Sequence, residues 1–166
     1  MIGWIAMKNA SECLCLIGVP GSGKSTLRDA IDGDHIVISS DDIIEEYAQS
    51  KGLTYNDVFG DDYVMKLVRN KIKRLTDHAR RHDIDVIWDQ TNLTPKSRKK
   101  IFKALPNHKV IALVFPTPSD EELGKRLDRP GKTIPDHVME RMKGQFTYPT
   151  PGEGFIKIIE YDEDQL

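Results

Sequence analysis

The sequence predicts an α/β fold, a mainly parallel β-sheet flanked by helices on both faces. Three observations lead there. Strand-like and helix-like runs alternate along the chain, with no internal repeat or low-complexity linker. Residues 13–17 are apolar at every position and stop at Gly18, as expected for a strand covered on both faces. Between residues 62 and 81, Val64, Leu67, Val68, Ile72, Leu75 and Ala79 recur at helical spacing with basic residues opposite, which marks an amphipathic helix.

The other elements follow in order. A helix over about residues 24–31 succeeds the first strand, and residues 35–38 read as the second strand. Ser39-Ser40-Asp41-Asp42 then opens a helix that runs to Tyr47. After the long helix, residues 84–88 form a third strand ended by Asp89. Pro95 opens a helix to Ala104, since a first helical turn does not need the N–H that proline lacks. Residues 110–115 are a fourth strand, 119–127 and 136–146 are helices, and 155–161 are the last strand. Sheets of this kind bind ligands at the carboxyl ends of their strands, so useful chemistry is expected just after strands one, two and three.

The 166 residues fit one domain, 1–166, with about residues 1–10 as a loose N-terminal extension, and leave no length for a second domain. Hydrophobic residues at 39% and charged residues at 30% indicate a folded globular chain. A formal net charge of −2 argues against a broad basic face that wraps duplex nucleic acid. Any nucleic-acid partner is expected to be held at one patch or one strand end. No stretch approaches the roughly 20 apolar residues that span a bilayer, and residues 1–7 lack the flanks of a signal peptide. The chain reads as cytoplasmic, with no membrane partner. Cys13 and Cys15 alternate on one strand, so both point to one face and read as small buried residues in a reducing compartment.

Gly18-Val19-Pro20-Gly21-Ser22-Gly23-Lys24-Ser25-Thr26 is a complete Walker A pattern between a buried strand and a helix start. Its glycines permit backbone conformations that turn several N–H groups toward one anion, with no Cβ in the way. Lys24 is expected to bridge the β- and γ-phosphates of ATP, and the Ser25 hydroxyl to ligate Mg²⁺. The chain lacks the Asn-Lys-x-Asp guanine reader of a nucleotide switch. Its third strand ends in Asp89-Gln90 and not in the Asp-Glu of a motor ATPase, so the base that activates water is missing. Asp89 remains able to orient the water shell of the metal.

After the second strand, Asp41 and Asp42 carry two readings. A carboxylate beside the γ-phosphate would accept the proton of an attacking hydroxyl. Ser39 to Asp42 also has the form of a helix cap, with acids in the first turn. Both hold if Asp42 serves the helix and Asp41 faces the site. Arg126-Leu127-Asp128-Arg129-Pro130-Gly131-Lys132-Thr133-Ile134-Pro135 is either a solvated basic loop or a lid that brings Arg126 and Arg129 over the phosphates. Together these features predict a P-loop kinase fold with a helical lid segment.

The motifs taken in order resemble the 5′-kinase domain of polynucleotide kinases, the end-healing enzymes of nucleic acid repair. The resemblance rests on the Walker A run, the acid pair, Asp89-Gln90-Thr91-Asn92 with Ser97-Arg98, Arg126 and Arg129, and Ile134-Pro135. It extends through Gln145-Phe146, Pro149-Thr150 and Glu153-Gly154-Phe155, and so covers nearly the whole chain. It implies transfer of the ATP γ-phosphate to a 5′-hydroxyl end of single-stranded DNA or RNA. Asp41 would be the general base, Lys24 and Ser25 would hold phosphate and Mg²⁺, and Asp89 would organise the centre. Arg129 with Arg126 would clamp the moving phosphoryl, and Thr91, Asn92 and Arg98 would belong to the nucleotide or acceptor surroundings. Glu153-Gly154-Phe155 would close the nucleotide pocket or serve structure alone. The family usually has Arg directly before the catalytic Asp, where this chain has Ser40. Its phage form has an Arg facing the acceptor phosphate three residues after that Asp, where this chain has Ile44.

Two rival functions stay open. One is a P-loop kinase of a small hydroxylated molecule (a nucleoside, sugar or antibiotic), which the two lost arginines favour and the tail motif opposes. The other is an ATP-dependent binding protein without acceptor chemistry. Lys96, Arg98, Lys99, Lys100 and Lys103 form a basic helical face that either grips a strand end or is merely solvated. His78 and His82 have the spacing of a metal pair but no third ligand, and read as solvated. Trp88 reads as core, while Trp4 has no stacking partner.

Overall fold

A computed structural model describes residues 10–163 of the chain. Trp4 and the expected loose extension, Ala10 apart, therefore lie outside the described residues. The sheet has five strands: β1 (Glu12–Ile17), β2 (His35–Ile38), β3 (Asp85–Asp89), β4 (Lys109–Val114) and β5 (Lys157–Glu160). All neighbours are parallel, in the order β2-β3-β1-β4-β5. The helices are α1 (Lys24–Asp29), α2 (Ser40–Ser50), α3 (Tyr55–Val58), α4 (Asp62–His82), α5 (Pro95–Ala104), α6 (Asp120–Leu127) and α7 (Asp136–Gln145). This is the α/β P-loop kinase fold, a parallel sheet flanked by helices.

The continuous apolarity of residues 13–17 in β1 follows from its central place. It pairs with β3 on one side and β4 on the other, so Leu14 lies opposite both Ile87 and Ile111. Successive side chains then feed two separate layers. Cys13, Cys15 and Ile17 pack with Ala79 of α4 and Ile101 of α5, while Leu14 and Leu16 pack with Leu27 of α1. Both thiols are free and fully buried, and burial pushes them up, which suits inert core residues. Trp88 is buried in the first of these layers.

Two smaller clusters bear on the site. Ile44 and Ala48 of α2, Val58 of α3, and Val64 and Val68 of α4 form a separate apolar unit. Val19 of the glycine loop packs with Leu93, with Leu123 of α6 and with Met139 of α7. The loop is thus backed by hydrophobic contacts from three segments.

Some elements differ from expectation. Helix α2 runs to Ser50, three residues beyond Tyr47, because Ala48 still faces the apolar unit. Helix α3 is only four residues, too short to show a period, and rests on a reciprocal Thr54–Asp57 cap. A 3-10 turn forms at Pro151–Glu153. Strand β5 is shorter than residues 155–161, since Phe155 turns inward and meets the Phe102 ring edge-on at 5.1 Å. Among the described residues, no helix is long and apolar enough to cross a membrane.

Candidate active site

The loop between β1 and α1 begins at Gly18, whose N–H donates to the Thr91 carbonyl at 3.0 Å. A Cβ at Gly18 would stand 2.6 Å from Ser22 Oγ, so only glycine fits. Gly21 and Gly23 have φ of 81° and 97°, the left-handed region that side chains disfavour. The Lys24 ammonium folds back across this loop and donates to the Gly18 and Val19 carbonyls, both at 2.8 Å. It is buried, and desolvation lowers its pKa from 10.5 to about 8, against the opposing pull of Asp89 and Asp41. The loop therefore holds a desolvated cation bonded to neutral carbonyls, which a phosphate would neutralise.

Ser25 and the end of β3 form the next part. Ser25 Oγ donates to Asp89 Oδ2 at 3.0 Å, and Arg28 Nη1 reaches the same oxygen at 2.8 Å. Arg28 also contacts Asp42 and Asp29, each at 2.8 Å. Burial opposes the Arg28 charge, but the three carboxylates outweigh it and hold its pKa up. Burial raises the Asp89 carboxyl above its ordinary value, offset in part by Arg28, Lys24 and the Ser25 bond. The Ser25 and Arg28 donors on this oxygen favour the ionised carboxyl and work against that burial.

The acid pair after β2 divides its work. Ser39 caps α2 by accepting the Asp42 N–H at 3.2 Å, and the Asp42 carboxylate pairs with Arg28. Asp41 turns to the cavity instead. Its Oδ1 accepts the Tyr55 hydroxyl at 2.9 Å, and its Oδ2 lies 3.2 Å from Lys132 Nζ. Ile44, one turn on, is buried in the α2–α3–α4 unit and faces no cavity.

The segment after α6 covers this side. It is not itself helical: α6 ends at Leu127, a tight hairpin brings Arg129 opposite Lys132, and α7 starts at Asp136. Arg126 donates to the Gly21 carbonyl at 3.1 Å and is held by Glu122 at 2.7 Å. A single cavity of about 740 Å³ is lined by the glycine loop, Asp41, Asp89, Thr91, Arg126, Arg129 and Lys132. Pro20, Gly21, Gly23, Lys24, Ser25 and Thr26 face it, whereas Gly18 and Ser22 support it from behind.

Asn92 and Arg98, expected in the nucleotide or acceptor surroundings or in the shell behind them, do not line the cavity and stand behind it. Asn92 is buried with φ 51° and donates to the Leu16 carbonyl at 2.7 Å, fastening the β3 turn to β1. Arg98 is 0% exposed. Its Nε and Nη2 grip the two oxygens of Glu153 at 2.8 and 3.1 Å, and its Nη1 donates to the Asn92 and Thr147 carbonyls at 3.0 Å. Burial alone would raise the Glu153 carboxyl, but the Arg98 and Thr150 bonds hold it below its ordinary value. The Glu153-Gly154-Phe155 motif thus anchors α5 and does not line the cavity. The basic face of α5 loses its middle: Lys96, Lys99, Lys100 and Lys103 are exposed, and none lines the cavity. The His78 and His82 rings lie 4.5 Å apart, and the described residues contain no group of three or more His, Cys, Asp or Glu able to hold a metal.

Three residues of the site escape sequence reading: Arg28, Tyr55 and Lys132. Arg28 reads as an ordinary helix-surface arginine. Tyr55 and Lys132 belong to segments with no period, and their partners lie 14 and 91 positions away at Asp41. Lys132, a cation inside a Pro/Gly-punctuated basic stretch, was the one that carried a signal.

Magnesium and ATP fit the residues present. The Ser25 hydroxyl and Asp89 carboxylate are hard oxygen donors, and the desolvated Lys24 stands beside them. The profile of the AAA_33 family, an AAA domain, matches residues 14–149. In fold, the chain is similar to one chain of the Pnkp1/Rnl/Hen1 RNA repair complex, with TM-score 0.67 and 21% identity. That likeness covers 86% of this chain and 46% of the other, so this chain spans less than half its length. It is also similar to a gluconokinase from Sinorhizobium meliloti 1021, with TM-score 0.53 and 21% identity over 91% and 82% of the two chains. A shikimate kinase from Acinetobacter baumannii, in complex with shikimate, gives TM-score 0.51 and 17% identity over 92% and 85%. At these identities the shared property is the fold.

Proposed function

Because the chain belongs to the AAA_33 family and has a P-loop kinase fold, we propose that it transfers the ATP γ-phosphate to a 5′-hydroxyl end of DNA or RNA. The observation that carries this reading is that Asp41, Lys24 and the lid arginines open on one cavity. A phosphate-holding cation and a carboxylate free to take a proton are the two parts that alcohol phosphorylation needs.

The roles follow from position. The glycine loop and Lys24 hold the β- and γ-phosphates, and Lys24 exchanges its carbonyl partners for phosphate oxygens. Ser25 and Asp89 would hold Mg²⁺, which supplies positive charge against the developing charge on the phosphate oxygens. Asp41 accepts the proton of the acceptor hydroxyl as its oxygen bonds to the γ-phosphorus. The bond from that phosphorus to the β–γ bridging oxygen breaks, and ADP leaves with the electron pair. Arg126 and Arg129 face the same space and balance the charge of the moving group. The order of motifs from Asp89-Gln90-Thr91-Asn92 to Glu153-Gly154-Phe155 supports a polynucleotide acceptor.

A second reading has one observation in its favour. With Ser40 before Asp41 and Ile44 buried, α2 offers no cation to an acceptor phosphate, which suits a small hydroxylated molecule. Incubation with γ-labelled ATP, Mg²⁺ and a panel of 5′-hydroxyl DNA and RNA oligonucleotides beside sugars and nucleosides separates the two. Label on oligonucleotides is the expected result. Label on small alcohols alone selects the second reading, and ATP binding with no labelled acceptor indicates a nucleotide-dependent binding protein.

A further inference from the structure

The hairpin over residues 129–132 is fastened to α3. The Asn56 N–H donates to the Gly131 carbonyl at 2.9 Å, and Asn56 Nδ2 donates to Thr133 Oγ1 at 2.8 Å. The Thr133 N–H returns to Asn56 Oδ1 at 3.3 Å. Gly131 has φ 74°, and a Cβ there would stand 2.8 Å from Thr54 Cβ and Cγ2. Only glycine allows this approach, because both the left-handed backbone and the contact exclude a side chain.

This docking delivers one side chain to the site. Lys132 Nζ lies 3.2 Å from Asp41 Oδ2, bonds to Glu45 and sits 4.6 Å from the centre of the Tyr55 ring. The Lys132 side chain is 18% exposed and that of Asp41 56%, so the cation is fixed by its surroundings while the carboxylate stays open to the cavity. The opposite oxygen of Asp41 accepts the Tyr55 hydroxyl, and burial together with Asp41 itself raises the Tyr55 pKa, so the phenol stays a donor. Asp41 is thus held at both oxygens by two separate elements. Each carboxylate oxygen has two lone pairs, so one on each remains for an acceptor hydroxyl.

We propose that Tyr55 and Lys132 are positioning residues for Asp41, and that docking of the 129–132 hairpin on α3 completes the general base. This rests on the reading of Asp41 as that base. Acceptor activation is then tied to closure: the carboxylate is aimed only when the segment bearing Arg126 and Arg129 is in place, which limits loss of phosphate to water.

The test combines single-turnover transfer from γ-labelled ATP to a 5′-hydroxyl oligonucleotide with ATP affinity by calorimetry. Lys132→Met is expected to slow transfer about 10- to 100-fold, the scale of a displaced catalytic group, with ATP affinity unchanged. Lys132→Arg recovers most of the rate. Gly131→Ala slows transfer by a similar factor, and Gly131→Ala with Lys132→Met is no slower than the worse single variant. Losses that multiply in the double variant, or a Lys132→Met defect found in ATP affinity alone, overturn the proposal. Tryptic cleavage after Lys132 needs no acceptor. It is expected to be slow in the native chain and fast in Gly131→Ala, and equal rates overturn the docking. If Asp41→Asn transfers at the native rate, the base reading itself falls. If Asp41→Asn is inactive while Gly131→Ala and Lys132→Met are not, only the coupling does.

Discussion

Arg28 Nη1 lies 2.8 Å from Asp89 Oδ2, so a cation from α1 already stands beside the carboxylate expected to organise the metal. Burial raises the Asp89 carboxyl, and Arg28 is the first of the groups that oppose this. Arg28→Ala should leave Asp89 without its nearest cation, less firmly held and a poorer partner for the metal's water shell. The Mg²⁺ concentration that half-saturates nucleotide binding should rise about tenfold, the scale of lost outer-shell partners. Calorimetric titration at fixed nucleotide measures it, and an unchanged requirement would remove Asp89 from the metal site.

Lys24 makes a prediction in pH. Its pKa falls from 10.5 when free to about 8 in the fold. Between those values the unfolded chain keeps a proton that the folded chain has released, so stability rises with pH across that window. That gain is complete above 10.5 and is lost as pH falls through about 8. Its size is on the order of 3 kcal/mol. Denaturant melts from pH 7 to 10.5 should show the rise in the native chain and its absence in Lys24→Met. Nucleotide binding has the opposite sign: phosphates favour the ammonium form, so ATP affinity should fall above about pH 8, with proton uptake on binding.

Asp41 is half exposed and belongs to no core cluster, so its replacement should leave the fold intact. Asp41→Asn keeps the shape and the bond from Tyr55 but removes the group that takes the proton. The rate of transfer should fall about 10² to 10⁴-fold, with ATP affinity retained. A variant at native rate would show that the acceptor loses its proton elsewhere.

Arg98 should behave as a structural residue. Arg98→Met strips Glu153 of its bidentate partner and leaves the Asn92 and Thr147 carbonyls short of a donor. Breaking such a buried pair costs about 3–5 kcal/mol. Chemical denaturation should register that loss, while the acceptor KM of the folded fraction stays unchanged. A raised acceptor KM at native stability would return Arg98 to the acceptor surroundings.

The parallel sheet and the phosphate loop were legible because their causes are local. Residues 13–17 of β1 are apolar because they lie between β3 and β4, and Gly21 and Gly23 supply the left-handed backbone of the turn. Asp41 and Asp89 could be found from the rule that strand ends carry the chemistry, without knowledge of their partners. The burial of Arg98 and the partners of Arg28 are hidden from the sequence for one reason. Each is one basic residue on a helix, and only the orientation of that helix decides which is buried against a carboxylate. In α5 the inward position belongs to Arg98 beside Ile101, and its basic neighbours point to solvent.

The amino-acid order alone determined that this chain builds an ATP-type phosphate loop at the end of a buried strand in an α/β sheet. Spacing within nine consecutive residues, between an apolar run and a helix start, is enough for that. Tertiary structure decided which charges face each other: Arg28 with Asp89, Arg98 with Glu153, and Lys132 with Asp41. Those pairs span 61, 55 and 91 positions, and no local pattern encodes them. They exist because packing of the helices on the sheet, and of the hairpin on α3, brings remote side chains within a few ångströms of each other.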